Sequence, residues 1–252
     1  MGVIIKSPSQ NGWAIAKRIE LPFEASWEGF FSFGINASVS IRNMVEGKSA
    51  LSIVGSPTYG SNYIELTGAQ VAYLVSGIKN STDMTIMATA LSVEEKGSVI
   101  VSNYQSTRAD NTGLCIGTSL GFDVGTNTTN GLVISRFNHA TLVGGVSKGA
   151  SAETSVESPI NQWGLITGRV KNSERTRSVY NLTAGTSGTN TPTVNDVDLG
   201  DFLRIGSAYN NQFPGKVRIS ELAIFSEKLS DSNFSSLTEF MRQRAISKGI
   251  SV

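Results

Sequence analysis

Hydrophobic and polar residues alternate with a period of two along much of the chain from Trp27 onward, which is the pattern of β-strands. In the clearest run, 83–91, Met84, Ile86 and Ala88 lie on one face and Thr85 lies on the other. Alternation over this length predicts a half-buried strand. Further strands are predicted at 98–102, 113–117, 120–124, 131–137, 163–170, 177–182, 202–205 and 216–225.

Clusters of Gly, Ser, Thr and Asn separate these runs, and the segments 125–131 and 183–190 are predicted turns. Roughly ten short strands at this spacing predict a sandwich or a barrel. We find no self-similarity at a period of about 20 to 50 residues, which argues against a propeller or a solenoid.

One segment departs from the period of two and predicts a C-terminal helix at about 230–248, lying on the sandwich. Ser230 is the predicted N-cap, with Asp231 in the first turn, and basic residues crowd the far end. The apolar residues near helical spacing are Phe234, Leu237, Phe240, Met241 and Ala245.

Composition narrows the function classes. Among 252 residues, 21 are basic and 20 acidic, so the net charge of +1 gives no field that would concentrate nucleic acid or anionic lipid. The single cysteine, Cys115, cannot form an internal disulfide and is predicted to be a buried thiol. Without a leader or a long apolar run, the chain is expected to be soluble, with no membrane insertion.

The length fits one all-β domain. We expect residues 1–25, which contain Pro8, Gly12 and Pro22, to form an N-terminal arm or a peripheral strand. Residues 26–252 are then the main domain, including the helix.

Three motifs in the last third of the chain carry a family resemblance. The first is Trp163-Gly-Leu-Ile followed by the strand that ends at Asn181. The second is Phe202-Leu-Arg-Ile-Gly206, and the third runs from Phe213-Pro-Gly through Glu221 to the helix. In order and spacing they resemble the LamG-like branch of the concanavalin A superfamily.

The resemblance implies a two-sheet antiparallel jelly-roll sandwich with a C-terminal α-helix, covering roughly residues 27 to 241, and it places Trp163 in the core. The family's usual Asp is replaced by Ser220, and its Asn-Gly becomes Asn181-Leu182.

Catalysis finds little support in the sequence. Glycosidases of this fold place carboxylates at alternate strand positions, and no such spacing occurs here. The nearest pair, Asp196 and Asp198, is predicted to be solvated in a turn. His139 is the only histidine, is predicted to lie in a loop, and has no partner for a metal or a catalytic triad.

Two kinds of binding site remain open. Exposed tyrosines flanked by amides are typical of glycan sites, although the alternative is that they cover sheet edges. The candidates are Tyr104 with Asn103 and Gln105, and Tyr209 with Asn210, Asn211 and Gln212. Calcium is the one cofactor considered, and its candidate ligands, which could instead be turn-forming residues, are Asp123, Asn127, Asn130 and Asp110.

The chain resembles LamG-like domains of bacteriophage virion proteins, and the function that this resemblance implies is a non-catalytic virion protein, in the tail or on the capsid surface, that assembles and attaches to host-surface glycan. Its expected partners are copies of itself or other virion proteins, and its expected location is the virion, otherwise the cytoplasm. The alternative is a free-standing carbohydrate-binding lectin module. A glycoside-active enzyme on the same fold is the third interpretation.

Overall fold

The computed structural model describes residues 26–124, 131–194 and 196–252. The chain folds into two antiparallel eight-stranded sheets that form a sandwich. A two-stranded ribbon lies beside them, and the C-terminal helix packs on one sheet. This arrangement confirms the predicted all-β sandwich with a closing helix.

Sheet I carries the helix. Its spatial order is β16 (Thr186–Asn190), β15 (Thr176–Asn181), β14 (Gly164–Lys171), β6 (Met84–Ser92), β18 (Lys216–Phe225), β4 (Ile64–Thr67) and β3 (Thr58–Tyr59). The first half of β18 pairs with β4, and the second half pairs with β1 (Trp27–Ser32).

Sheet II is the opposite layer. Its order is β12 (Ser151–Glu153), β9 (Leu132–His139), β8 (Thr118–Asp123), β7 (Ser98–Ser102), β17 (Phe202–Ile205), β5 (Tyr73–Lys79) and β2 (Ser52–Val54), with β13 (Ser158–Pro159) on β9. The ribbon consists of β10 (Thr141–Val143) and β11 (Val146–Lys148). Helix α1 spans Ala37–Ser40, and the closing helix α2 spans Asp231–Ser247.

Two apolar cores hold three layers together. The larger core lies between the sheets and includes Ile86, Leu120 and Phe137. The second core lies between sheet I and α2, where Met87 and Phe225 meet Leu237 and Met241. Strand β6 is therefore buried on both faces, and the prediction of a half-buried strand was wrong because the helix covers the second face.

Two local predictions also fail. Residues 113–117 form a loop with only an isolated bridge at Leu114, because Cys115 bonds back to Gln105 and Ser106 instead of to a neighbouring strand. Residues 186–190, predicted as a turn, form β16, an edge strand paired with β15 along its length.

Trp163 is half-buried rather than in the core, because it precedes β14 and its ring packs 6.1 Å from the ring of Tyr63 at the sheet edge.

Candidate ligand groove on sheet II

The outer face of sheet II carries a row of polar side chains. Opposed residues in antiparallel strands share a face, so the register Arg204, Ser102, Ser119, Asn138 and Ser151 runs across five strands on one side. Ser102 Oγ and Ser119 Oγ lie 2.7 Å apart, within hydrogen-bonding distance. A sheet face of this composition can contact a polar ligand.

Part of this face forms a groove of about 210 Å³. Its lining includes Tyr104, Ser119, Gly121, Asp123, Arg136, Asn138, Ser151, Gln212 and Phe213. Gly121 lies on the floor of the groove. A side chain at this position would not fit, because its Cβ would lie 2.3 Å from the Ser98 carbonyl oxygen. The groove thus combines small polar side chains on its floor with larger side chains on its walls.

The aromatic wall consists of Tyr104 and Phe213, whose ring centroids lie 5.7 Å apart in an edge-to-face arrangement. The loop that carries Phe213 is fastened to its neighbours by backbone bonds. Tyr209 N donates to Tyr104 O at 2.9 Å, and Gly215 N donates to Gly97 O at 2.9 Å. Phe213 O also accepts from Ala69 N. The wall is therefore positioned before any ligand arrives.

The opposite wall contains a charged cluster centred on Arg136. Its Nη1 donates to Asp123 Oδ2, and its Nε lies 3.4 Å from Glu153 Oε1. The guanidinium group therefore sits between two carboxylates and is compensated on both sides. Arg136, Glu153, Asn138 and Phe213 were not among the predicted site residues, and only Arg136 belongs to a predicted strand, 131–137.

The structure places the predicted glycan-binding residues in different environments, and only some of them line the groove. Tyr104 and Gln212 line the groove. Tyr209 lies next to it, with its ring under Arg204 at 3.5 Å and its Oη donating to Phe202 O at 2.8 Å. Burial raises the pKa of Tyr209, which keeps this phenol protonated as a donor.

The amides beside these tyrosines serve the local structure. Asn103 is fully buried, and its side chain bonds to Asn80, Asp201 O and Thr118 N. Asn210 and Asn211 accept hydrogen bonds from Gln212 N and the Gln70 side chain.

Gln105 adopts a positive φ of 62° in the loop after Tyr104. It does not line the groove, and neither do Asn103, Asn210 and Asn211.

Of the four predicted calcium ligands, Asp123 and Asp110 lie among the described residues. Asp123 is paired with Arg136 at the end of β8, whereas Asp110 lies in the loop before that strand. Asp110 accepts from Thr112, and this lowers its pKa. Asn127 and Asn130 lie outside the described residues. Within the described ranges, no group of three or more His, Cys, Asp or Glu residues is arranged to hold a metal ion.

Asp198, predicted to be solvated, is completely buried. Its Oδ2 accepts from Ile116 N at 2.7 Å and from the Ser147 hydroxyl, and its Oδ1 lies 3.5 Å from Arg108 Nε. This carboxylate joins the loop at one end of the groove to the β10–β11 ribbon. Asp196 is exposed, as predicted.

His139 lies at the end of β9 and is fully buried, so its placement in a loop was wrong. Cys115 is buried as predicted, and burial raises the pKa of its thiol. Among residues 26–124, 131–194 and 196–252, no helix has the length and apolar character needed to span a bilayer.

Comparison with protein-family models and with curated proteins gives no match. Solved structures with a similar fold include the receptor-binding domain of botulinum neurotoxin type G, with a TM-score of 0.60 at 10% identity over 86% of this chain and 52% of that chain. The binding domain of Paraclostridial Mosquitocidal Protein 1 gives a TM-score of 0.56 at 15% identity over 85% and 52%.

A structure described as "Cell entry of botulinum neurotoxin type C is dependent upon interaction with two ganglioside molecules" gives a TM-score of 0.55 at 10% identity over 85% and 51%. The chain spans about half the length of these structures. The likeness is therefore one of fold: this chain is a β-sandwich similar to part of the binding domains of toxins.

Proposed function

We propose that this chain is a non-catalytic carbohydrate-binding module and that its ligand site is the groove on sheet II. The observation that carries the proposal is the pairing of an aromatic wall, Tyr104 and Phe213, with a floor of hydroxyl and amide groups. Sugars have apolar C–H faces and polar hydroxyl edges, so one such ligand would contact both surfaces.

The charge of the groove favours neutral sugars. Among the described residues, Arg136 is the one cationic side chain that lines the groove, and Asp123 and Glu153 already compensate its charge. An acidic sugar would have to displace one of these carboxylates and would leave it uncompensated. The similar structures support a binding role in general, and the ganglioside interaction named for the type C toxin belongs to that toxin.

A non-catalytic role fits the arrangement of the two carboxylates. A glycosidase needs the space between its carboxyl groups for the sugar and, in inverting enzymes, for a water molecule. Here the guanidinium group of Arg136 occupies that space between Asp123 and Glu153.

The proposal is tested by screening the full chain against neutral and acidic glycans, followed by titration of any glycan that binds. We expect binding to a neutral glycan and a loss of about tenfold in affinity, about 1.4 kcal/mol, in Tyr104→Ala. Phe202→Ala is the matched control, since Phe202 is an exposed aromatic on the same sheet but outside the groove. Equal losses in both variants, or no glycan bound, would contradict the proposal.

A narrower proposal concerns the family and the setting. We propose that the sandwich is of the concanavalin A-like, LamG type and that the module is part of a bacteriophage virion. The resemblance of the three sequence motifs supports this, together with the order in which the buried strand β18 leads into α2. The assembly that this setting requires is tested by the mass measurement given below.

A further inference from the structure

A buried guanidinium group inside the sandwich has an unusual set of contacts. Arg177 belongs to β15, two residues before the core residue Val179, so its side chain points between the sheets, where it is 0% exposed. Its Nε donates to the His139 carbonyl oxygen at 3.0 Å. Within the part of the chain that the structure describes, Nη1 and Nη2 have no hydrogen-bond partner.

The charge of Arg177 persists in this environment. Burial lowers the pKa of Arg177 to about 10, which still leaves the group cationic at neutral pH. The only acceptor bonded to it in the described residues is a neutral carbonyl oxygen. An uncompensated buried charge is strongly destabilising, so an anion bound beside Arg177 would stabilise the folded state.

His139 lies beside Arg177, and its neighbours fix which ring nitrogen carries the proton. Asn80 Nδ2 donates to Thr118 Oγ1 at 3.1 Å, and Thr118 Oγ1 lies 2.8 Å from His139 Nδ1. The Thr118 hydroxyl can therefore donate to Nδ1, which places the imidazole proton on Nε2. Nε2 is buried, and its proton is directed toward the Thr82 backbone rather than left free for a ligand.

The imidazole is also neutral. Burial and the nearby charge of Arg177 lower the pKa of His139 to about 3, while a hydrogen bond with the Thr82 backbone opposes this shift.

We propose that the guanidinium group of Arg177, beside the neutral His139, forms an internal binding site for a small monovalent anion, with chloride as the physiological ligand. The two Nη groups would donate to one anion. A single negative charge neutralises the single guanidinium charge, whereas a divalent anion would leave a net charge in the interior. The site is separate from the groove, so it does not depend on the proposed glycan binding.

The first test measures urea unfolding of the full chain at constant ionic strength while chloride replaces gluconate. A ligand that binds only the folded state raises the folding equilibrium constant by about tenfold when its concentration is ten times its dissociation constant. We expect this rise in the wild type and in Arg175→Gln, a control at an exposed arginine two residues away. We expect Arg177→Met to show no chloride dependence, whatever its own stability.

The second test needs no variant. Crystals of the wild type grown in bromide should show an anomalous scattering peak at the Nη groups of Arg177. An equal chloride response in wild type and Arg177→Met would overturn the proposal. The proposal is equally overturned if the only density beside Arg177 lacks anomalous signal, because ordered water would then satisfy the donors.

Discussion

At the scale of single residues, close packing between the sheets leaves some positions without room for a side chain. Gly168 in β14 is an example, because a Cβ there would lie 2.2 Å from Cδ2 of Phe137 on the facing sheet. Gly77 in β5 differs, since its Cβ would lie 3.6 Å from Ser49 Cβ, an ordinary contact. Replacing each of these two glycines by alanine should therefore lower the free energy of unfolding by different amounts.

We expect Gly168→Ala to lower the free energy of unfolding by about 1–3 kcal/mol, because Phe137 must move within a packed core. Gly77→Ala should change it by less than about 0.5 kcal/mol. Urea denaturation of both variants measures the difference. Equal stabilities would mean that the facing sheets can separate at little cost.

The buried histidine gives the chain a specific sensitivity to acid. The pKa of His139 is about 3 in the folded chain, against about 6.5 when unfolded. Between these values the unfolded state binds one more proton, so stability falls as the pH drops from about 6.5 toward 3. The loss between pH 7 and pH 5 is about 2 kcal/mol.

His139→Gln should remove this part of the pH dependence while leaving that of the carboxylates. Urea unfolding of wild type and variant at pH 7 and pH 5, in chloride-free buffer, tests the expectation. Parallel losses in the two proteins would show that His139 is protonated in the folded state. This is the only histidine in the sequence, so the comparison isolates one group.

At the scale of secondary-structure elements, the docking of α2 on sheet I combines an apolar face with a buried ionic cluster. Glu221 in β18 is fully buried, and its two carboxylate oxygens accept from Arg244 Nε at 2.8 and 2.7 Å. Lys248 Nζ lies 3.4 Å from the same carboxylate. Burial lowers the pKa of Lys248, and Glu221 opposes that shift.

Glu221→Gln should lower the free energy of unfolding by about 3–5 kcal/mol, because both cations lose a buried carboxylate. Glu239→Gln is the matched control, since Glu239 is an exposed glutamate on α2 itself and accepts from the Gln243 side chain. We expect the control to change stability by less than about 0.5 kcal/mol. Chemical denaturation followed by circular dichroism measures both, and similar values would mean that apolar contacts alone hold the helix.

At the scale of the whole molecule, the three layers decide which surfaces can bind. Helix α2 covers the outer face of sheet I, and the two inner faces form the main core. The outer face of sheet II carries the groove. A partner or ligand that binds a sheet face of the described sandwich would therefore bind the outer face of sheet II.

The proposed virion setting predicts self-association through residues 1–25, which lie outside the described residues. We expect the full chain to form a stable oligomer and a chain lacking residues 1–25 to be a monomer. Size-exclusion chromatography with light scattering measures both masses. Monomers in both cases would contradict self-assembly through this segment and would favour the free-standing lectin module.

The sequence alone determined the elements whose signal is local. Alternation located β6, β7, β17 and β18 within about a residue, and helical spacing with Ser230 as N-cap located α2. It also indicated that Cys115 is buried. Tyr104, Gln212 and Asp123 were identified as candidates, and these three residues line the groove.

Only the tertiary structure decided which strands are neighbours and which faces are covered. A period of two shows that residues share a face but not which neighbour covers that face, so the helix over Met87 was missed in assessing β6. Arg136 meets Asp123 and Glu153 from the strands on either side of β9, a contact that depends on which strands pair. Asp198 and Arg177, polar in the sequence, are buried because distant segments enclose them.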